Sequence, residues 1–130
     1  LEQHRLTTHL IAVTVLTSMG AEDLADVGIH APLAEHVERL ALLTQQSGLH
    51  GVVCSAQESA HLKARCGDAF LKVTPGIRPN FAATNDQQRI MTPSEAMRVG
   101  STHLVIGRPV TQAEDPMVAL ESIEAELKRA

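Results

Sequence analysis

Short runs of consecutive apolar, β-branched residues alternate along this chain with longer stretches whose apolar residues recur every three or four positions. The first run, Leu10–Val15 (LIAVTV), reads as a buried strand. From Pro32 to Ser47 the spacing changes: Leu33, Val37, Leu40 and Leu43 (or the adjacent Ala41) lie on one face of a helix, and Gly48 follows as its stop. Gly51–Ser55 (GVVCS) predicts a second strand, and Ser55 with Glu58 forms an S-x-x-E box suited to opening the next helix. Phe70–Thr74 (FLKVT) predicts a third strand, followed by a long polar loop from Pro75 to Met91. Thr92-Pro93-Ser94-Glu95 is a second capping box with proline at the first helical position, opening a short helix that ends at Gly100. His103–Gly107 (HLVIG) predicts the fourth strand. Asp115-Pro116 caps a last helix whose stripe is Val118, Leu120, Ile123 and Leu127.

The order is thus β-α-β-α-β-α-β-α. Helical crossovers between apolar strands imply parallel pairing and an α/β fold. Four such units fit either a small doubly wound sheet or half of a (β/α)8 barrel, and periodicity does not choose between them. The loops favour the barrel. Pro75-Gly76-Ile77-Arg78-Pro79 and Gly107-Arg108-Pro109 each place an arginine just past a strand's C-terminal end, where parallel sheets bind ligands and where the last two loops of barrels often hold phosphate. Glycine lets backbone N–H groups come close to an anion, and arginine offers a planar fork to two phosphate oxygens.

Composition narrows the choice of partners. The chain has 130 residues, 44% of them hydrophobic, enough for a core. Its formal net charge is −4, no Lys/Arg cluster stands out, and aromatics amount to 2%, so nucleic acid is not an expected partner. The opening LEQHRLTTHL has no leader pattern and Leu10–Val13, the longest apolar run, cannot cross a bilayer; a cytoplasmic location is expected, and no membrane partner. Cys54 and Cys66 form no CxxC pair, and Cys54 is expected to pack in the core. Seven histidines are present without an H-x-H or H-E-x-x-H pattern, so no metal site is expected. Glu35, Glu38, Glu121, Glu124 and Glu126 read as solvated helix faces.

Five segments in order carry a resemblance: IAVTVLTSM (Ile11–Met19), GVVCSAQE (Gly51–Glu58), VTPGIRP (Val73–Pro79), DQQRIMTP (Asp86–Pro93) and VIGRPVTQAEDP (Val105–Pro116). Together they resemble consecutive stretches of the bacterial orotidine 5′-phosphate decarboxylase family. The resemblance implies a (β/α)8 TIM barrel of which this chain supplies the last four βα units, strands five to eight. Residues 1–130 would then be the C-terminal half of a single domain whose N-terminal half is absent. It also implies an enzyme that converts orotidine 5′-phosphate to UMP and CO₂ without cofactor or metal, and that acts as a homodimer.

Site residues follow from the same resemblance. Arg108, with the Gly107 N–H, is expected at the 5′-phosphate. Gln87 is expected to reach the phosphate from the long loop, with neighbouring Gln88 as the alternative contact. Arg78 is expected either to touch the phosphate or to brace the loop. Thr17 and Ser18 are expected at the pyrimidine or its carboxylate, the alternative being that they cap the short segment Ala21–Val27. No catalytic residue is expected here. The family's chemistry resides in a Lys and Asp array, including an Asp-x-Lys-x-x-Asp motif that this sequence does not contain; the nearest approach, Lys63 to Asp68, has the wrong spacing. Two other readings stay open: another phosphate-binding barrel enzyme, such as a sugar-phosphate decarboxylase or a ribulose-phosphate-type isomerase, and a non-catalytic phosphate-binding half-barrel.

Overall fold

The computed structural model describes residues 2–82 and 90–130. A 3-10 turn (Glu2–His4) leads to β1 (Ile11–Val13), then α1 (Ala21–Asp26), α2 (Leu33–Gln46) and β2 (Gly51–Val53). A second 3-10 turn (Ala56–Glu58) opens α3 (Ser59–Cys66). Next come β3 (Leu71–Thr74), α4 (Pro93–Arg98), β4 (His103–Leu104), α5 (Arg108–Thr111) and α6 (Pro116–Arg129). The four strands form one sheet in the order β1-β2-β3-β4, every pair parallel. The alternation expected from the hydrophobic pattern is therefore present.

Three local signals act as expected. Ser55 N–H donates to the Glu58 carboxylate at 2.9 Å, and Thr92 N–H donates to Glu95 at 3.1 Å. Asp115 Oδ1 accepts from the N–H groups of Met117 and Val118, at 2.9 and 3.3 Å. Each satisfies N–H groups that have no partner within the helix or turn.

The strands are shorter than their apolar runs. Beyond β1 and β4 single ladder-type bonds continue, from Thr14 N–H to Val53 O and from Val105 N–H to Thr74 O, both 3.0 Å, before the backbones part into loops. The turn α5 falls where a loop was expected. The N–H groups of Val110 and Thr111 both return to Gly107 O, at 2.9 and 3.0 Å, and Pro109 near the start of a helix forfeits no hydrogen bond.

The main core lies between the sheet and the helices. It contains Val15, Leu24, Val37, Ala41, Val52, Cys54, Leu62 and Phe70, so Cys54 packs as expected. A second cluster, Ala56, Ile77 and Ala96, sits near the ends of β3 and β4 and is joined by Met91, Leu104 and Ile106. Lys72 also points to the helix side. Its side chain is buried, Nζ donates to Phe70 O at 2.7 Å, and burial pushes its pKa down. Beside it, Thr74 Oγ1 donates to Ser101 Oγ, which pairs with Ser59 Oγ, both at 3.0 Å.

Side chains alternate across a strand, so Val13, Val53, Val73 and His103, in register with one another, share the opposite face. There Val13 is 56% exposed and Val105 49%. Val52, by contrast, lies under the helices.

Leu62 is fully buried in the main cluster, so Leu62→Ala is expected to cost about 2–5 kcal/mol, read by chemical denaturation. A second test concerns the link between α2 and α3. Glu38 accepts hydrogen bonds from His61 Nε2 and from Arg65 Nε (2.8 Å), and these hold its carboxyl below the usual glutamate range. A depressed carboxylate pKa stabilises the fold above the ordinary range and loses that contribution as pH falls through the lowered value. Glu38→Gln should therefore lower Tm at neutral pH, with the difference from wild type vanishing in acid. A gap in Tm that persists in acid would contradict this.

Candidate functional site

Parallel pairing brings the C-terminal ends of all four strands to one edge of the sheet. The segments that leave this edge are Thr14–Gly20, Cys54–Glu58, Pro75–Ala82 and Val105–Arg108.

After β1 the chain makes a tight turn, closed by Met19 N–H to Leu16 O at 3.0 Å. Thr17 is buried and Ser18 half-buried within it. Neither is the N-cap of α1. That position is Gly20, whose N–H donates to Asp23 Oδ2 at 2.6 Å. The capping alternative for Thr17 and Ser18 is thus taken over by two other residues.

After β3, Gly76 adopts φ +73°, which a side chain would disfavour. The bend lets Met91 N–H reach Gly76 O (3.3 Å) while Arg78 N–H donates to Met91 O (3.0 Å), a parallel bridge that closes the base of the loop. Arg78 is 7% exposed, and its Nη1 donates to the Ile77 carbonyl at 2.9 Å. The guanidinium is folded back against its own strand end. Gln87 and Gln88 lie outside the described residues.

After β4, Gly107 begins α5 and Arg108 is its first residue. Among the described residues, no atom beyond the chain neighbours lies within 4 Å of the position a Gly107 Cβ would occupy. Arg108 is half-buried. Since β3 and β4 are neighbours, the two arginine-bearing segments leave the sheet side by side.

Sequence reasoning did not single out Gln57. It follows β2, and its Nε2 donates to Ile90 O at 3.4 Å, tying the end of the β2 segment to the returning end of the long loop. The only sequence signal was its place inside the Ser55–Glu58 capping box. That box fixes the turn and so aims position 57.

The chain's three lysines are all engaged elsewhere. Lys63 pairs with Asp68 at 3.8 Å and Lys128 with Glu124 at 2.7 Å, both on helices or just beyond them. Lys72 is on the helix side of the sheet, bonded to Phe70 O. The arrangement offers groups that bind an anion and no amine positioned to donate a proton at the strand ends. Among the described residues, no three His, Cys, Asp or Glu side chains are placed to hold a metal ion, and no helix is long and apolar enough to cross a membrane.

Comparison with known proteins adds to this geometry. Residues 2–123 match the model of the orotidine 5′-phosphate decarboxylase / HUMPS family. The chain is 67% identical over 127 residues to an orotidine 5′-phosphate decarboxylase of Chromohalobacter salexigens, covering 98% of this chain and 54% of that protein. It is 58% identical over 130 residues to the one of Saccharophagus degradans, covering 55% of it. The chain thus spans about half the length of the curated relatives it matches. Among solved structures, the orotidine 5′-phosphate decarboxylase of Lactobacillus acidophilus superposes with a TM-score of 0.75 at 42% identity, covering 92% of this chain and 49% of that one. The enzyme of Pyrococcus horikoshii, at 17% identity and a TM-score of 0.67, shares the fold. The four βα units are accordingly part of a (β/α)8 barrel.

Proposed function

The chain belongs to the orotidine 5′-phosphate decarboxylase / HUMPS family, and from that premise we propose that it is the C-terminal half of a barrel that decarboxylates orotidine 5′-phosphate to UMP. Its own part is to grip the substrate. The observation that carries this reading is the pair of arginine-bearing segments leaving adjacent strands at the ligand edge of a parallel sheet. The family also includes other phosphate-binding barrel enzymes; 67% identity to a protein described as orotidine 5′-phosphate decarboxylase favours the nucleotide substrate.

Arg108 meets the 5′-phosphate with its guanidinium fork, and the Gly107 N–H adds a backbone donor beside it. Gln87, on the long loop, adds a hydrogen bond. Arg78 braces the base of that loop, in keeping with its burial and its bond to the Ile77 carbonyl. Thr17 and Ser18 face the pyrimidine and its carboxylate. In the reaction the C6–carboxylate bond breaks, CO₂ leaves, and the electron pair on C6 takes up a proton. The proton donor and its aspartates belong to the preceding half of the barrel. No cofactor or metal enters this scheme. The complete enzyme is cytoplasmic and homodimeric.

Phosphate contacts act on rate as well as affinity. Binding energy from this non-reacting group can be used to close the loop and hold C6 against the catalytic groups.

Two outcomes test the reading. In the full-length protein, Arg108→Ala should weaken UMP binding and lower kcat/KM by the loss of charge-assisted hydrogen bonds, roughly 1.5–3 kcal/mol each. Arg108→Lys should recover only part, because an ammonium cannot reproduce the fork. Unchanged UMP affinity in Arg108→Ala removes this residue from the site. The second test uses residues 1–130 alone, assayed for decarboxylation and by size-exclusion chromatography. No turnover is expected, and the chain should self-associate or unfold cooperatively only when its exposed sheet face is covered. A compact monomer with cooperative unfolding overturns the claim that the chain needs its sheet face covered, and turnover by this chain overturns the claim that the chemistry resides in the other half.

A further inference from the structure

At the end of the sheet opposite the strand exits, the chain enters β1 through two hydrogen bonds to one histidine. Leu10 N–H donates to His50 Nδ1 at 2.9 Å, and His50 N–H donates to Leu10 O at 2.9 Å. His50 O in turn accepts from Leu71 N–H at 3.0 Å, so this residue joins the leading segment to β2 and β3 together. The His9 ring stands against the His50 ring, with centroids 4.9 Å apart and planes inclined by 32°.

We propose that His50 and His9 form an acid-sensitive latch that fastens the segment preceding β1 to the base of the sheet. The chemistry lies in Nδ1. As an acceptor from Leu10 it carries no proton, so the neutral ring holds its proton on Nε2. Protonation converts Nδ1 into a donor that faces another donor, and the bond is lost. A second imidazolium at His9 would add like-charge repulsion across the ring pair. The surroundings give no compensation. The described residues that face His50 in the two depressions beside it come from the leading segment, from the α2 end and from the α3 end; of these, His9 and the Cys66 thiol titrate, and no carboxylate is among them. Lys72, on β3, is bonded to the Phe70 carbonyl in the same wall and is a further cation rather than a counter-ion. Acid therefore frees residues 2–10 while the strands beyond Leu10 keep their own ladder.

Hydrogen exchange on the full-length protein tests this. Because the bond exists only with Nδ1 unprotonated, protection of the Leu10 amide, corrected for intrinsic exchange, should fall by roughly an order of magnitude as the solution is taken from neutral into acid. His50→Asn, which cannot titrate, should abolish the pH dependence whatever its absolute protection. His9→Ala should keep the dependence with a shallower slope. An independent reading needs no variant: nitrogen chemical shifts should report His50 with Nδ1 unprotonated at neutral pH. Flat protection in the wild type, a slope that persists in His50→Asn, or an Nδ1-protonated neutral His50 overturns the latch.

Discussion

Parallel strand pairing is the constraint on which the rest of this structure depends. Because β1 to β4 all run the same way, each must be followed by a helical return, and all four chain exits fall on one edge. That single fact brings together residues far apart in sequence: the turn at Thr17, the capping box at Ser55, the bend at Gly76 and the backbone at Gly107. It also separates functions along the strand axis. The C-terminal edge releases the four loop segments, while at the N-terminal edge His50 joins the leading segment to β2 and β3.

How much of this was legible in the sequence depends on whether the signal was local. Strand runs, helices and the boxes at Ser55, Thr92 and Asp115 are local patterns and lie where they were expected, but the stripes shift: on α2 Ala41 is buried and Leu43 exposed, and on α6 Ala119 and Ile123 are buried while Val118 and Leu120 are exposed. What escaped detection depends on tertiary contact. Lys72 interrupts an apolar strand, and nothing nearby announces that its stem lies under the helices with Nζ on a carbonyl two residues back. Gly51 reads as an ordinary strand residue, yet a Cβ there would stand 2.4 Å from the Leu71 Cβ across the ladder. The turn at Arg108–Thr111 was hidden because Gly and Pro around Arg108 read as loop punctuation, whereas both are compatible with a helix start.

The site shows the same division. Glycine and arginine past a strand end are recognisable from spacing, so Arg108 and Arg78 could be named. Their different environments could not. Both arginines follow a glycine closely, but Arg78 is buried and folded into its own strand end, whereas Arg108 is half-buried as the first residue of α5. Gln57 was missed because its contact with Ile90 spans two loops, and neither loop alone implies it.

On the proposed reading, the uncovered sheet face is the reason that neither half of the barrel is self-sufficient. Val13 and Val105 are about half exposed here, and Leu16 at the upper rim is 53% exposed. Burying a side chain of this kind contributes about 1.5–3 kcal/mol, while a whole domain is stable by only about 5–15 kcal/mol. A few such residues therefore decide whether the sheet persists alone. The covering half must bring apolar side chains to this face, and in doing so it carries its own strand ends to the same edge as Arg108. On that reading, closing the barrel and assembling a site from both halves are one event, driven mainly by burial of the face that this chain leaves open.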